Sequence, residues 1–123
     1  MFEVKVETHF SSAHHLLNYK GKCENVHGHN WKVEVTASGS NLDKSNILID
    51  FKMLKKITNE VIDYLDHKDL NELEEFKGQS PSSEFIAKFI YYKLKEQIKE
   101  VLRVDVWETP TSRASYFEEL KDN

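Results

Sequence analysis

The chain has 123 residues, 39% hydrophobic and 31% charged. That composition fits one globular domain spanning residues 1–123 and excludes both a disordered chain and a repeat array. A formal charge of −4 argues against a general nucleic-acid binder, yet leaves room for a small anionic substrate gripped by a few local cations.

The N-terminal MFEVKVETHF alternates and carries charge, so it reads as a strand and not as a signal peptide. Phe2, Val4, Val6 and Phe10 share one face, opposite Glu3, Lys5, Glu7 and His9. A second strand follows in Trp31, Val33, Val35 and Ala37, closed by Ser38-Gly39-Ser40-Asn41. ILIDF then leads into a helix from about Asp50 to Leu65, with Leu54, Ile57, Val61, Tyr64 and Leu65 as its apolar stripe. A second helix starts near Pro81, capped by Ser80 or Ser82, and is expected to run to about Leu102. Arg103 to Thr109 returns to period two, and Ser112 to Glu119 pairs with it across Pro110-Thr111. The order β-β-α-α-β-β predicts an α+β fold, a four-stranded antiparallel sheet with two helices on one face. Two open sheet edges favour assembly with further copies. No apolar run is long enough to span a membrane. The single cysteine excludes an intrachain disulfide, so a cytoplasmic setting is expected.

Chemistry concentrates in CENVHGHNW, Cys23 to Trp31. His27 and His29 are two apart, so their rings point to one side of an extended chain, and Gly28 leaves space between them. A His-x-His pair alone is weak evidence for a metal. FSSAHHL adds His14 and His15 just past the first strand, and parity favours His14, which continues the Phe10-Ser12 face. Three imidazoles without a fourth protein ligand describe an open catalytic zinc site; Cys23 as a fourth ligand would instead close a structural one. A cysteine in so polar a setting as Lys22-Cys23-Glu24-Asn25 is poorly suited to core packing, and a nearby cation would lower its pKa toward a working base. Asp66-His67, in LDHKDLN, offers a proton partner with a carboxylate fixing the imidazole tautomer; the plainer reading is a histidine complementing a helix C-terminus. Glu108, at a strand end, is either solvent-facing or placed to grip a paired N–H group.

Together these pieces resemble the 6-pyruvoyl-tetrahydropterin synthase family, and in particular its 6-carboxy-tetrahydropterin synthase branch. The resemblance rests on F-x-x-A-H (Phe10 to His14), C-x-x-x-H-G-H (Cys23 to His29), I-D-F (Ile49 to Phe51), L-D-H-x-x-L-N (Leu65 to Asn71), P-x-S-E (Pro81 to Glu84), and Glu108-Thr109 followed by Tyr116. It implies a tunnelling fold whose sheets join into an oligomeric barrel, usually a hexamer, with active sites between subunits. It also implies one zinc ion per subunit on His14, His27 and His29, with Cys23 as proton acceptor. His67, oriented by Asp66, would relay protons, and Glu108 with Thr109 would hold the pterin. The implied reaction converts 7,8-dihydroneopterin triphosphate to 6-carboxy-5,6,7,8-tetrahydropterin, acetaldehyde and triphosphate, a step toward queuosine.

Two departures stand out. Asn46 occupies a turn where relatives often carry Gly, and Asn tolerates the left-handed backbone such a turn needs. Glu24 overlays a second pattern, E-x-x-H-G-H, which in the folate-directed branch marks a glutamate base giving 6-hydroxymethyl-dihydropterin. Glu24 is thus either a second base or a solvated loop residue. A pyruvoyl-forming synthase, a non-catalytic zinc or pterin-binding module and a structural zinc protein complete the alternatives.

Overall fold

The computed structural model describes residues 1–118, so the expected strand end at Glu119 lies outside the described residues. The alternating segments form β1 (Phe2–His14), β2 (His27–Gly39), β3 (Val101–Thr109) and β4 (Ser112–Phe117). The strands pair antiparallel in the order β1-β2-β3-β4. Between β2 and β3 run α1 (Phe51–Leu65) and α2 (Ser83–Lys95), with two short 3-10 turns between them. Helix α1 packs on β1 and α2 on β3 and β4, so both cover one face.

The side chains facing the helices are the core: Phe10, Trp31, Val33, Val35, Ala37, Val104 and Val106 meet Leu54, Ile62, Ile86, Ile90 and Leu94. Trp31 is 0% exposed, stacks on Phe10 at 5.7 Å between ring centroids, and donates its indole N–H to the Ser12 carbonyl at 3.1 Å. The opposite face carries charge, and its ionic centre is Asp105. That carboxylate accepts from Arg103 Nε and Arg113 Nη1, both at 2.9 Å, and from the Ser115 hydroxyl. Burial opposes its ionisation, but the Ser115 hydroxyl and the two guanidiniums hold Asp105 below the usual carboxylate range.

Element boundaries and one helix face differ from the sequence reading. β1 continues to His14 because β2 pairs with it along its whole length, ending at His14↔His27. The histidines therefore lie inside the ladder and not beyond it. Helix α2 stops at Lys95, well short of Leu102, and β3 begins at Val101. No Gly or Pro marks the stop; Lys95 Nζ instead donates to the carbonyls of Lys99 and Val101 at 2.6 and 2.7 Å. Ile98 stays buried on both readings, which is why periodicity ran through the turn. The α1 face on the sheet is Leu54, Thr58, Ile62 and Leu65. Tyr64 lies 40% exposed and faces Phe89 of α2 instead. Asp50 caps α1 through Lys52 N at 2.7 Å, and Ser82, not Ser80, caps α2. Asn46 sits at φ 62°, the left-handed turn its position predicted.

Candidate metal centre and active site

The L-D-H-x-x-L-N segment is stitched along the end of β1. The Ser12 hydroxyl donates to the Leu65 carbonyl, and Ser11 N–H donates to Asp66 Oδ1 at 2.8 Å. The backbone N–H of His67 donates to Ser11 O at 2.6 Å, and that of Ala13 to Lys68 O at 2.9 Å. Asn71 completes the seam, accepting from His15 N and donating to His15 O, each at 3.0 Å. His67 turns the chain at φ 56°, a left-handed conformation sustained by these bonds on both sides. The result is a fixed platform at the end of β1, from which His14 points into the helix-covered face.

His14, His27, His29 and Glu108 each present a donor atom within 4.8 Å of one another. Pairing of the strand ends brings the first three together, and β3 brings Glu108. His14 is 2% exposed and its Nδ1 bonds the Pro81 carbonyl at 2.8 Å. His27 Nδ1 bonds the Asn25 carbonyl at 2.8 Å. A carbonyl only accepts, so each of these Nδ1 atoms carries a proton, and in the neutral imidazole Nε2 is then a lone pair open to a metal ion. The Nε2 atoms of His14 and His29 are buried and have no hydrogen-bond partner. Glu108 Oε1 stands 2.9 Å from His29 Nε2 and 3.3 Å from His14 Nε2. Burial, together with the neighbouring imidazoles His14 and His27, outweighs the Glu108 charge and lowers the pKa of His29. Ring edges of His14 and His29 rest on Trp31 at 4.9 and 5.1 Å, so the floor of the cluster is apolar and rigid. Orphaned imidazole lone pairs converging on an apolar floor fit a divalent cation, and the cluster has the donor set of a metal centre.

Cys23 is exposed in the loop between β1 and β2 and is not part of the donor cluster. Asp66 Oδ2 holds His67 Nδ1 at 2.9 Å, and the His67 side chain is 82% exposed. The Ser11 amide and the His67 ring keep Asp66 below the usual carboxylate range. Among the described residues no hydrogen bond joins Cys23 to His67. Glu108 also walls a cleft of about 400 Å³ with Ser83, Glu84, Ser112, Arg113, Ala114 and Ser115. Thr109 lies on the hairpin, where its hydroxyl accepts from Thr111 N at 3.3 Å. Glu24 is half-buried, with Oε1 accepting from Leu16 N at 2.9 Å. Sequence reasoning missed the supports Asn71, Ser80 and the Pro81 carbonyl. All three lie in or beside the motifs quoted above, but a motif does not disclose which backbone group it serves.

An antiparallel β-β-α-α-β-β chain in which three histidines and a glutamate able to hold a metal ion converge at one end of the sheet defines a class of α+β proteins. The sequence profile of the family described as 6-pyruvoyl tetrahydropterin synthase matches residues 3–119, and the chain belongs to that family. A protein of Bacillus subtilis named 6-carboxy-5,6,7,8-tetrahydropterin synthase is 34% identical, the match covering 94% of this chain and 84% of that one. A protein of Archaeoglobus fulgidus named as a putative 6-carboxy-5,6,7,8-tetrahydropterin synthase is 43% identical over 85% of this chain and 86% of its own. The solved structure of the Caenorhabditis elegans 6-pyruvoyl tetrahydropterin synthase superposes with a TM-score of 0.85 at 30% identity, covering 96% of both chains.

Proposed function

We propose that the chain is a zinc-dependent lyase that converts 7,8-dihydroneopterin triphosphate and water to 6-carboxy-5,6,7,8-tetrahydropterin, acetaldehyde and triphosphate. The observation that carries this reading is the convergence of His14, His27 and His29, with the exposed Cys23 of the β1–β2 loop outside the donor set. The relatives named for this activity support it, since they match over most of their own length.

In this reading the Nε2 atoms of His14, His27 and His29 hold the zinc ion. Bound there, zinc supplies Lewis acidity toward the hydroxyl and carbonyl oxygens of the substrate side chain. Cys23 accepts a proton from a side-chain carbon, and carbon–carbon cleavage then releases acetaldehyde. Asp66 keeps the His67 proton on Nδ1, which leaves Nε2 free to take up and return the proton that Cys23 handles. Glu108 grips the paired N–H groups of the pterin ring from the wall of the 400 Å³ cleft. Exposure of His67, and its separation from Cys23 in hydrogen bonding, favour a relay completed across a subunit boundary.

A homo-oligomer, as a hexameric barrel, suits the two sheet edges. The apolar cleft of about 360 Å³ beside β1, lined by Phe2, Leu42, Ile47 and Phe51, adds to that reading. No helix among the described residues is long and apolar enough to cross a membrane, and a working thiol calls for a reducing compartment, hence the cytoplasm. Incubation of zinc-loaded protein with dihydroneopterin triphosphate, followed by mass-spectrometric product identification, tests the proposal. The carboxy product should form and be lost in His27→Ala; a wild type yielding only the pyruvoyl or hydroxymethyl product would refute it.

A further inference from the structure

His14 and His27 each donate Nδ1–H to a backbone carbonyl, but the two carbonyls differ in kind. That of Asn25 is two residues from His27, in an exposed stretch of the same loop. That of Pro81 is 67 residues from His14, and the bond is buried. The ring that β1 contributes is therefore held from outside the sheet, by the segment that leads into α2.

What keeps the Pro81 carbonyl in place? Ahead of it, Lys77, Gly78 and Gln79 are exposed, and Gly78 turns at φ 76°. Ser80 is where the chain regains a hold on the β1 limb. Leu17 N–H donates to Ser80 Oγ at 2.7 Å, and that hydroxyl lies 3.3 Å from the Leu17 carbonyl, to which it donates. Beyond Pro81, which is buried, Ser82 N–H donates to the Ser80 carbonyl at 2.9 Å, and Ser82 Oγ accepts from Phe85 N at 3.1 Å to cap α2. His14 and Leu17 lie on one limb, Pro81 and Ser80 on the other. Contacts at two points fix both the spacing of the limbs and the angle between them, whereas a single contact would leave a hinge.

We propose that Ser80 is a positioning residue of the metal centre: its clasp on Leu17 keeps the Pro81 carbonyl on His14 Nδ1 and so aims His14 Nε2 at the ion. The inference rests on the reading of His14, His27 and His29 as metal ligands. A ligating imidazole whose other nitrogen is held by an acceptor is fixed in orientation and tautomer, and both loosen when that acceptor drifts. The Pro81 carbonyl survives any side-chain substitution, so the Ser80 hydroxyl is the handle on it.

Ser80→Ala removes both bonds to Leu17, and Ser80→Thr keeps a hydroxyl able to make them. Asp50→Ala is the control: it deletes the cap of α1, beside the opposite end of β1 from His14. Full-length wild type and the three variants are compared for zinc affinity, by competition with a chromophoric chelator, and for melting temperature. Solvent exchange of the His14 Nδ1 proton is followed by NMR. Ser80→Ala should bind zinc roughly tenfold more weakly, the low end of the loss typical when an outer partner of a ligating histidine is disturbed. Its His14 Nδ1 proton should exchange faster, in zinc-loaded and metal-free protein alike. Ser80→Thr should restore both readouts. Asp50→Ala should lower the melting temperature by about 5 °C and bind zinc as wild type does.

Wild-type zinc affinity in Ser80→Ala, or an equal loss in Asp50→Ala, overturns the proposal. So does a Ser80→Thr variant that binds zinc no better than Ser80→Ala. If wild type binds no zinc, the metal reading itself has failed. Exchange of the His14 Nδ1 proton in metal-free protein still decides the clasp in that case, and an unchanged rate in Ser80→Ala overturns it.

Discussion

Replacing Asp66 with Asn separates a carboxylate's architectural role from its electrostatic one. One oxygen of Asp66 accepts from Ser11 N–H at 2.8 Å, and the other meets His67 Nδ1 at 2.9 Å. Asn keeps a single acceptor. With its oxygen on Ser11, its amide nitrogen faces His67 Nδ1, and two N–H groups cannot share one hydrogen bond. The ring proton then moves to Nε2, the atom that has to accept one. Loss of a general acid–base partner typically lowers kcat on the order of 10²–10⁴-fold. Stability should barely move: the Asp66 side chain is 31% exposed, so solvent screening limits the lost charge–dipole contact to about 1 kcal/mol. For a domain of this size that shifts the melting temperature by no more than about 5 °C. Steady-state kinetics, zinc content and thermal melts on the same preparations give the answer. Wild-type kcat in Asp66→Asn would refute the tautomer argument, and a collapse in melting temperature would show that the carboxylate is chiefly structural.

Trp31→Phe keeps the stack on Phe10 but loses the indole N–H bond to Ser12 O and leaves a void under His14 and His29. It should cost about 1–3 kcal/mol in denaturant unfolding; an unchanged midpoint would mean that neither contact contributes. Asp105→Ala strands two guanidiniums that are 34% and 43% exposed, and water recovers part of the loss, so about 1–3 kcal/mol is expected. Wild-type stability should also fall as pH drops through the lowered pKa of Asp105, because the unfolded chain takes up that proton first; an equally steep acid limb in Asp105→Ala would contradict this. For His29 the lowered pKa means that the unfolded chain binds a proton at a pH where the folded, metal-free protein does not. Metal-free protein should therefore lose stability as pH falls from the ordinary imidazole range through that lower pKa. A His29→Asn variant with the same slope would place the effect elsewhere.

Alternation along Phe2 to Phe10 and Trp31 to Ala37 is a property of each strand alone, so the sheet and its buried face were legible in the residues. Parity singled out His14 over His15 for the same reason, since it continues the Phe10-Ser12 face into the core. What periodicity could not convey was contact between segments distant in sequence. The Leu65 to Asn71 segment looked like a catalytic motif, yet several of its polar groups stitch it to the end of the strand that β2 extends to His14. The end of α2 was invisible because Ile98 stays buried in the turn as it would in a helix, and the stop is made by Lys95 reaching two carbonyls. The α1 stripe was legible in part: Leu54 and Leu65 are buried and Ile57 and Val61 pack against the core, whereas Thr58 and Ile62 complete the buried face and Tyr64 turns outward. Glu108 was recognised as a strand-end carboxylate, but only the neighbouring strand reveals that it meets His29.

X-ray absorption at the zinc edge of the resting, substrate-free protein bears most directly on the account. His14, His27 and His29 should appear as three nitrogen scatterers at about 2.0–2.1 Å, completed by oxygen, with no sulfur in the shell. A sulfur scatterer near 2.3 Å would put Cys23 on the metal. It would close the site and remove the free thiol on which the chemistry depends.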